Sequence, residues 1–276
     1  MSADLDFEKS ATILAANVRR HIVKMVYSAK SGHIGGSLSS TDLMAVLYSK
    51  YLKHDPENPN WNDRDRFIMS KGHCTPVQYA ILAERGYFPV DELTTFRQKG
   101  TRLQGHSVLG KPPGVENSAG ALGMGLSFGL GVRLAQKLKG MQNSKVWVLM
   151  GDGEQNEGQV WEAAMSATHH QAAGLIALID RNGIQNDDFT QKTMRSEPLD
   201  KKYEAFGWNV LSNIDGHSIP EIADAFEWAI TQDDAPTCLI FDTTKGKGVS
   251  FMENNPGFHG APPDDEQFKI AMQELQ

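Results

Sequence analysis

Cysteine is almost absent: Cys74 and Cys238 are the only two in 276 residues. Two thiols cannot form a disulfide framework, and without a C-x-x-C pair they do not make a zinc site, so a reducing compartment is expected. Long apolar runs are missing too. No segment reaches the roughly 18 uninterrupted apolar residues that a membrane span requires. The N-terminus carries Asp4, Asp6 and Glu8 where a secretory leader would open basic and turn hydrophobic. A soluble, cytoplasmic protein is the expectation. Basic excess is lacking as well: 27 Lys and Arg stand against 34 Asp and Glu, a formal net charge of −7. That balance offers no global attraction to nucleic acid.

What the chain does have is a hydrophobic fraction of 40%, enough for a substantial core, and 26 glycines. Many of the glycines cluster between Gly105 and Gly158, where backbone packed closely against a ligand is the natural use.

Residues 7–30 have the spacing of an amphipathic helix, with Val18, Ile22 and Val26 on one face. A second helix is expected to start at Ser39 or Ser40 and run through Leu43, Val46, Leu47 and Tyr51, followed by a proline-bearing loop over 54–62. Arg66 to Ser70 reads as a buried strand and Thr75 to Arg85 as a helix. The run Leu122 to Leu138 also reads as helical despite its glycines. Lys145 to Met150 and Gly174 to Asp180 are continuous apolar strands joined by a helix over 158–170, which implies a parallel sheet covered on both faces. The pattern repeats with a strand from Asn209, a helix over 219–231 and a strand over 237–242. No repeat or linker divides the chain. One doubly wound α/β domain spanning 1–276 is the economical reading.

Open parallel sheets bind ligands at the carboxyl ends of their strands. Gly151-Asp152-Gly153 leaves the first apolar strand and Asp180-Arg181-Asn182-Gly183 leaves the second. A carboxylate and an amide oxygen at neighbouring strand ends, completed by phosphate oxygens and water, suit the all-oxygen octahedral shell of Mg²⁺. Gly153 would let a backbone amide approach a diphosphate. Each turn alone could equally be a plain turn; both leaving strands joined by one crossover helix make the pair informative.

These residues resemble the thiamine diphosphate signature, and the surrounding blocks resemble the transketolase family. The match includes Lys30-Ser-Gly-His33, Asp63-Arg-Asp-Arg-Phe67, Ser70-Lys-Gly-His73, Gly105-His106, Gly120-Ala-Leu-Gly-Met-Gly125, Gly151 to Gly158, Asp180-Arg-Asn-Gly-Ile184 and His259-Gly-Ala-Pro262, in order over nearly the whole chain. The resemblance implies a thiamine diphosphate-binding fold of the pyrophosphate-binding type. It implies that Asp152 and Asn182 give side-chain oxygens, and Ile184 its carbonyl, to Mg²⁺ or another divalent cation such as Ca²⁺ or Mn²⁺. Gly153 and His73 would assist at the diphosphate, with Gly120 and Leu122 against the ring system. His33, His73, His106 and His259 would surround the reactive carbon, where neutral imidazoles can take and return a hydroxyl proton. Glu157 is placed near a subunit interface in a carboxylate network, although an acid at a helix start is also favoured by the dipole.

His54, His169 and His170 read as surface or capping residues and His217 as a helix-entry residue. Lys245 either meets a charged group near the site or lies in a solvated loop. Two departures from the family pattern, Ile34 in place of proline after His33 and Ser107-Val108 in place of Pro-Glu after His106, bear on which sugar is bound. The family's cofactor-activating glutamate and its phosphate-binding arginine and histidine residues belong to a second, pyrimidine-binding region that has no counterpart here. The expectation is therefore the N-terminal subunit of a split transketolase, in a two-plus-two assembly with a C-terminal subunit. Its reaction would be transfer of a two-carbon ketol unit from a ketose phosphate to an aldose phosphate. The alternatives are a thiamine-dependent synthase of the 1-deoxyxylulose-5-phosphate type and a non-catalytic cofactor-binding subunit.

Overall fold

A computed structural model describes residues 2–186 and 188–276. In chain order, α1 (Ser2–Ala29), α2 (Gly35–Ser39) and α3 (Thr41–Val46) precede β1 (Arg66–Met69). Then come α4 (Thr75–Glu84), α5 (Met124–Leu138), β2 (Val146–Gly151), α6 (Gly158–His169) and β3 (Leu175–Arg181). A small hairpin of β4 (Ile184–Gln185) and β5 (Asp188–Phe189) leads to α7 (Thr190–Thr193) and α8 (Leu199–Ala205). The chain closes with β6 (Asn209–Asp215), α9 (Ile219–Ile230), β7 (Thr237–Asp242) and α10 (Asp265–Glu274).

Five strands form one parallel sheet in the order β1-β2-β3-β7-β6. Side chains alternate between its faces, so each strand feeds two separate cores. On one face Val146, Val148, Met150, Leu175, Ala177 and Ile179 pack with Leu126 and Leu130 of α5 and Val160, Ala163 and Ala167 of α6. On the other, Trp147, Leu149, Ile176, Leu178 and Phe241 pack with α1, α3, α4 and α9. This is why the strands read as unbroken apolar runs. Trp147 is fully buried, and truncating it to alanine would cost about 3–5 kcal/mol. The chain steps β1, β2, β3 in one direction, then jumps to the edge and returns to place β7 beside β3. Next to that reversal a crevice opens above the carboxyl ends of β2 and β3, with Lys245 entering from the loop after β7.

Two elements differ from expectation. The helix expected from Ser39 or Ser40 does begin there, with Ser40 as the N-cap of α3, but a separate short helix, α2, precedes it and its last turn, Leu47–Tyr51, is π-helical. Ser40 and Thr41 turn their hydroxyls back onto the carbonyls of Gly36 and Ser37, a local competition that separates α2 from α3. The helix expected from Leu122 starts at Met124, because Gly123 has φ +82° and cannot continue a right-handed helix.

Candidate functional site

The register of the sheet sets Gly151 at the end of β2 beside Asp180 near the end of β3. The residues that follow line one cavity of about 140 Å³, together with His73, Leu122, Gly153, Glu157, Lys245 and His259. Asp152 is buried and its two oxygens accept backbone amides, from Gly153 at 2.9 Å and Gly183 at 2.8 Å. Asn182 accepts from the Ile184 amide at 3.2 Å through Oδ1 and donates to Asp180 at 3.0 Å through Nδ2. The Ile184 carbonyl accepts the Lys245 ammonium at 3.0 Å. Gly153 lies so close to the hairpin that a Cβ there would stand 2.5 Å from Cβ of Gln185; only glycine lets these two loops meet.

Lys245 is therefore no solvated loop residue. It is 3% exposed and lies 2.7 Å from Nδ1 of His259. Burial pushes its ammonium down to about 8, opposed by nearby carboxylates. Asp152 moves the other way: burial first, then the Asp180 charge, raise it to about 6 against the two amide bonds. A carboxyl raised in this way gains most from a nearby cation.

The four glycine-flanked histidines meet in space. The His33 ring lies 4.9 Å from His73, 5.4 Å from His259 and 6.2 Å from His106, and His73 lies 5.4 Å from His259. Burial, then neighbouring rings and cations, lowers His33 and His73 to about 4 and His259 to about 3. His106 is lowered for the same reasons, with Arg97 contributing. All four are neutral near pH 7 and so able to accept a proton. His106 opens onto a second recess shared with Ser31, Arg97 and Gln104. Gly120 lines a separate recess with Ser70, Met124 and Phe128, apart from Leu122.

Beneath the cavity lies a polar floor that sequence reasoning missed. Lys71 and Asp180, both buried, form an ion pair. Burial alone would raise the Asp180 carboxyl, but Lys71, with the hydroxyls of Ser39 and Thr243, holds it below the usual range. Glu154 accepts the Ser70 hydroxyl and the amides of Gly123 (2.8 Å) and Gly151 (3.0 Å), stapling the glycine-rich loop to the end of β2. All three charged residues sit inside motifs already noticed, S-K-G-H, D-R-N-G-I and G-D-G-E, and for Lys71 and Glu154 the position beside glycine was the available signal. Glu157 is exposed on the cavity rim, next to Gly123.

Of the remaining histidines, His169 and His170 are exposed at the end of α6, as expected. His54 is half-buried, bonded to Tyr87 and to the Tyr48 carbonyl. His217 does precede α9, but its ring bridges Asp42 at 2.8 Å and the amide of Thr244 at 2.8 Å. It ties α3 to the loop after β7.

Among the described residues no group of three or more His, Cys, Asp or Glu side chains is arranged to hold a metal ion. The oxygens present are of another kind: one carboxylate, one amide and one carbonyl. Each keeps a lone pair beyond the bond it already makes. This is the sparse, all-oxygen set that suits a cation also held by phosphate and water. The Lys245 ammonium resting on the Ile184 carbonyl shows that this oxygen already attracts positive charge. The donor set fits a divalent cation.

An open parallel sheet with acidic and amide oxygens at adjacent strand ends and a glycine-lined cavity above them defines a diphosphate-binding α/β protein. Residues 10–275 match the family model described as "Transketolase, thiamine diphosphate binding domain", and the chain belongs to the transketolase family. It is 39% identical to the 6-deoxy-6-sulfo-D-fructose transketolase subunit SqwG of Clostridium sp. (strain MSTE9), over 99% of this chain and 97% of that one. It is 40% identical to an apulose-4-phosphate transketolase subunit of Phocaeicola vulgatus, over 93% of this chain and 90% of that one. Among solved structures, the Pichia stipitis transketolase complex with sedoheptulose-7-phosphate superimposes with a TM-score of 0.91 at 31% identity, covering 96% of this chain and 40% of that one. The Campylobacter jejuni transketolase gives 0.88 at 34% identity, covering 98% and 43%. The chain thus spans nearly all of the subunit-length relatives and less than half of the longer transketolases.

Proposed function

We propose that this chain, read as one pyrophosphate-binding domain over 1–276, is the N-terminal subunit of a two-chain transketolase. It transfers a two-carbon ketol unit from a sugar phosphate, or an analogue with another anionic terminus, to an aldose phosphate. One observation carries the reading: three cation-ready oxygens and the clustered neutral histidines converge at one end of the sheet. The match to relatives named as subunits over 90% or more of their length supports a complementary chain. The 6-deoxy-6-sulfo-D-fructose and the apulose 4-phosphate in those relatives' names favour an unusual sugar as substrate.

Thiamine diphosphate would supply the nucleophilic carbon. Asp152, Asn182 and the Ile184 carbonyl would hold Mg²⁺, with Ca²⁺ or Mn²⁺ as substitutes, and Lys245 and the Gly153 amide would face the diphosphate. Leu122 and Gly120 would lie along the ring system. His33, His73, His106 and His259 would take the donor hydroxyl proton and return it, their depressed basicity keeping them neutral at working pH. Glu157, exposed on the rim, is assigned to the contact with a neighbouring subunit in a two-plus-two assembly. Among the described residues no helix is long and apolar enough to cross a membrane, and two free buried cysteines accord with a reducing cytoplasm.

The test is an assay of ketol transfer by this chain alone and with its complementary subunit. Activity is expected only in the mixture. Full transfer by the isolated chain would overturn the two-chain reading, and decarboxylation of pyruvate by the mixture would overturn the reaction class.

A further inference from the structure

We propose that Asp180 is a positioning residue: it fixes which end of the Asn182 amide faces the cavity, and so whether an oxygen is offered to a cation there. The inference rests on Asn182 being one of the cation ligands proposed above. An amide is chemically two-ended, its oxygen a ligand for a hard cation and its NH₂ a donor that repels one. Nothing within Asn182 chooses between the two.

The surroundings do choose. Asn182 Nδ2 donates to Asp180 Oδ2 at 3.0 Å, which sends Oδ1 to the opposite side, where it meets the Ile184 amide at 3.2 Å. Rotating the amide by half a turn would set its oxygen against a carboxylate oxygen, with no proton between them. Asp180 is suited to this task because it is fully buried and, while ionised, can only accept. Lys71 is ion-paired with it, and the Ser39 hydroxyl donates to the same oxygen at 2.6 Å. Thr243 occupies its other oxygen. Lys71 also reaches the Gly36 carbonyl at 2.9 Å, so the carboxylate is braced from α2 and from the ends of β1 and β7.

Mn²⁺ is titrated into the chain paired with its complementary subunit, in the presence of thiamine diphosphate, and bound metal is read by electron paramagnetic resonance. Lys71→Met/Asp180→Asn removes the ion pair but keeps an acceptor oxygen, and should bind within about threefold of wild type. Lys71→Met/Asp180→Leu removes the acceptor and should bind about 10–100-fold more weakly, the usual effect of losing a partner that orients a ligand. Adding Asn182→Asp to the leucine variant offers an oxygen in either orientation and should restore most of the affinity. Equal affinities in the asparagine and leucine variants, or no recovery with Asn182→Asp, would overturn the proposal. In the unmutated chain, independently of any variant's folding, the Asn182 side-chain NH₂ should exchange with water at least about tenfold more slowly than exposed asparagine amides; a freely exchanging Asn182 amide also overturns it. No Mn²⁺ binding by the wild-type pair would instead remove the ligand assignment on which it rests.

Discussion

Asp152 and Asp180 stand at the ends of adjacent strands, both buried, and their surroundings drive them in opposite directions. Asp180 has Lys71 against it and hydroxyls around it, and is held below the ordinary carboxylate range despite its burial. Asp152 receives only backbone amides and lies near the Asp180 charge, and is raised to about 6. Depth in the sheet does not distinguish them; the cation does. One carboxylate is internally compensated and serves the structure. The other gains its partner when a cation arrives. The pair separates the floor of the site from its working surface.

The largest expected effect comes from Asp180→Ala, which leaves the Lys71 ammonium buried without a carboxylate. Breaking a buried pair on one side costs about 3–5 kcal/mol, to be read as a fall in the denaturant midpoint of unfolding. Asp152→Ala should invert that profile. Ligand-free stability should fall less than in Asp180→Ala, because the two orphaned amide donors, about 1–3 kcal/mol each, are offset by removal of a buried carboxylate lying near the Asp180 charge. Retention of thiamine diphosphate with Mg²⁺, followed by calorimetric titration, should be abolished. Should Asp152→Ala prove the more destabilising of the two, the division between floor and working surface fails.

Lys71→Met sharpens the comparison by turning Asp180 into a second Asp152. The Asp180 carboxyl should then titrate above its ordinary value of 3.8, because burial remains and the compensating charge is gone. Carbon-13 detection of the side-chain carboxyl would show it, and a value still below 3.8 would mean that the hydroxyls alone hold it down.

The smallest effect is a change of slope with pH. His33, His73 and His259 bind protons below 6.5 when unfolded, but only near 4 or 3 when folded. Stability should therefore fall as pH drops from 6.5 toward 4. Asp152 opposes this, since its folded carboxyl takes a proton at about 6, above its ordinary 3.8. Among these four groups the net difference is about two protons, rising to about three in Asp152→Asn. A steeper loss of thermal stability between pH 6.5 and 5 in that variant is the expected result; an unchanged slope would contradict the raised Asp152.

Much of this arrangement was legible in the chain. Strands β2, β3 and β7 betray themselves as continuous apolar runs because both of their faces are covered. The four site histidines stand out because each adjoins a glycine. The floor was not legible, for a physical reason: Lys71 meets Asp180 across 109 residues of chain, and a lysine or glutamate beside a glycine looks like a solvated turn until the fold closes over it. Lys245 and Glu154 were obscured in the same way. The helix start at Ser40 was legible, but the short helix α2 ahead of it was not, because only the bonding of Ser40 and Thr41 back to Gly36 and Ser37 reveals it.

The meeting of His33 with His259 also bears on the order in which the molecule can form. One ring arrives with the loop after α1 and the other with the segment before α10, while His73 and Lys245 enter from strand ends in between. Contacts between such distant segments form late, after the long intervening loop has been closed. A ribosome-bound chain would carry the apolar layer that α5 and α6 cover, complete by Ile240, before it carried a complete histidine cluster. The capacity to hold a reactive cofactor is thus withheld until the chain has been made through His259.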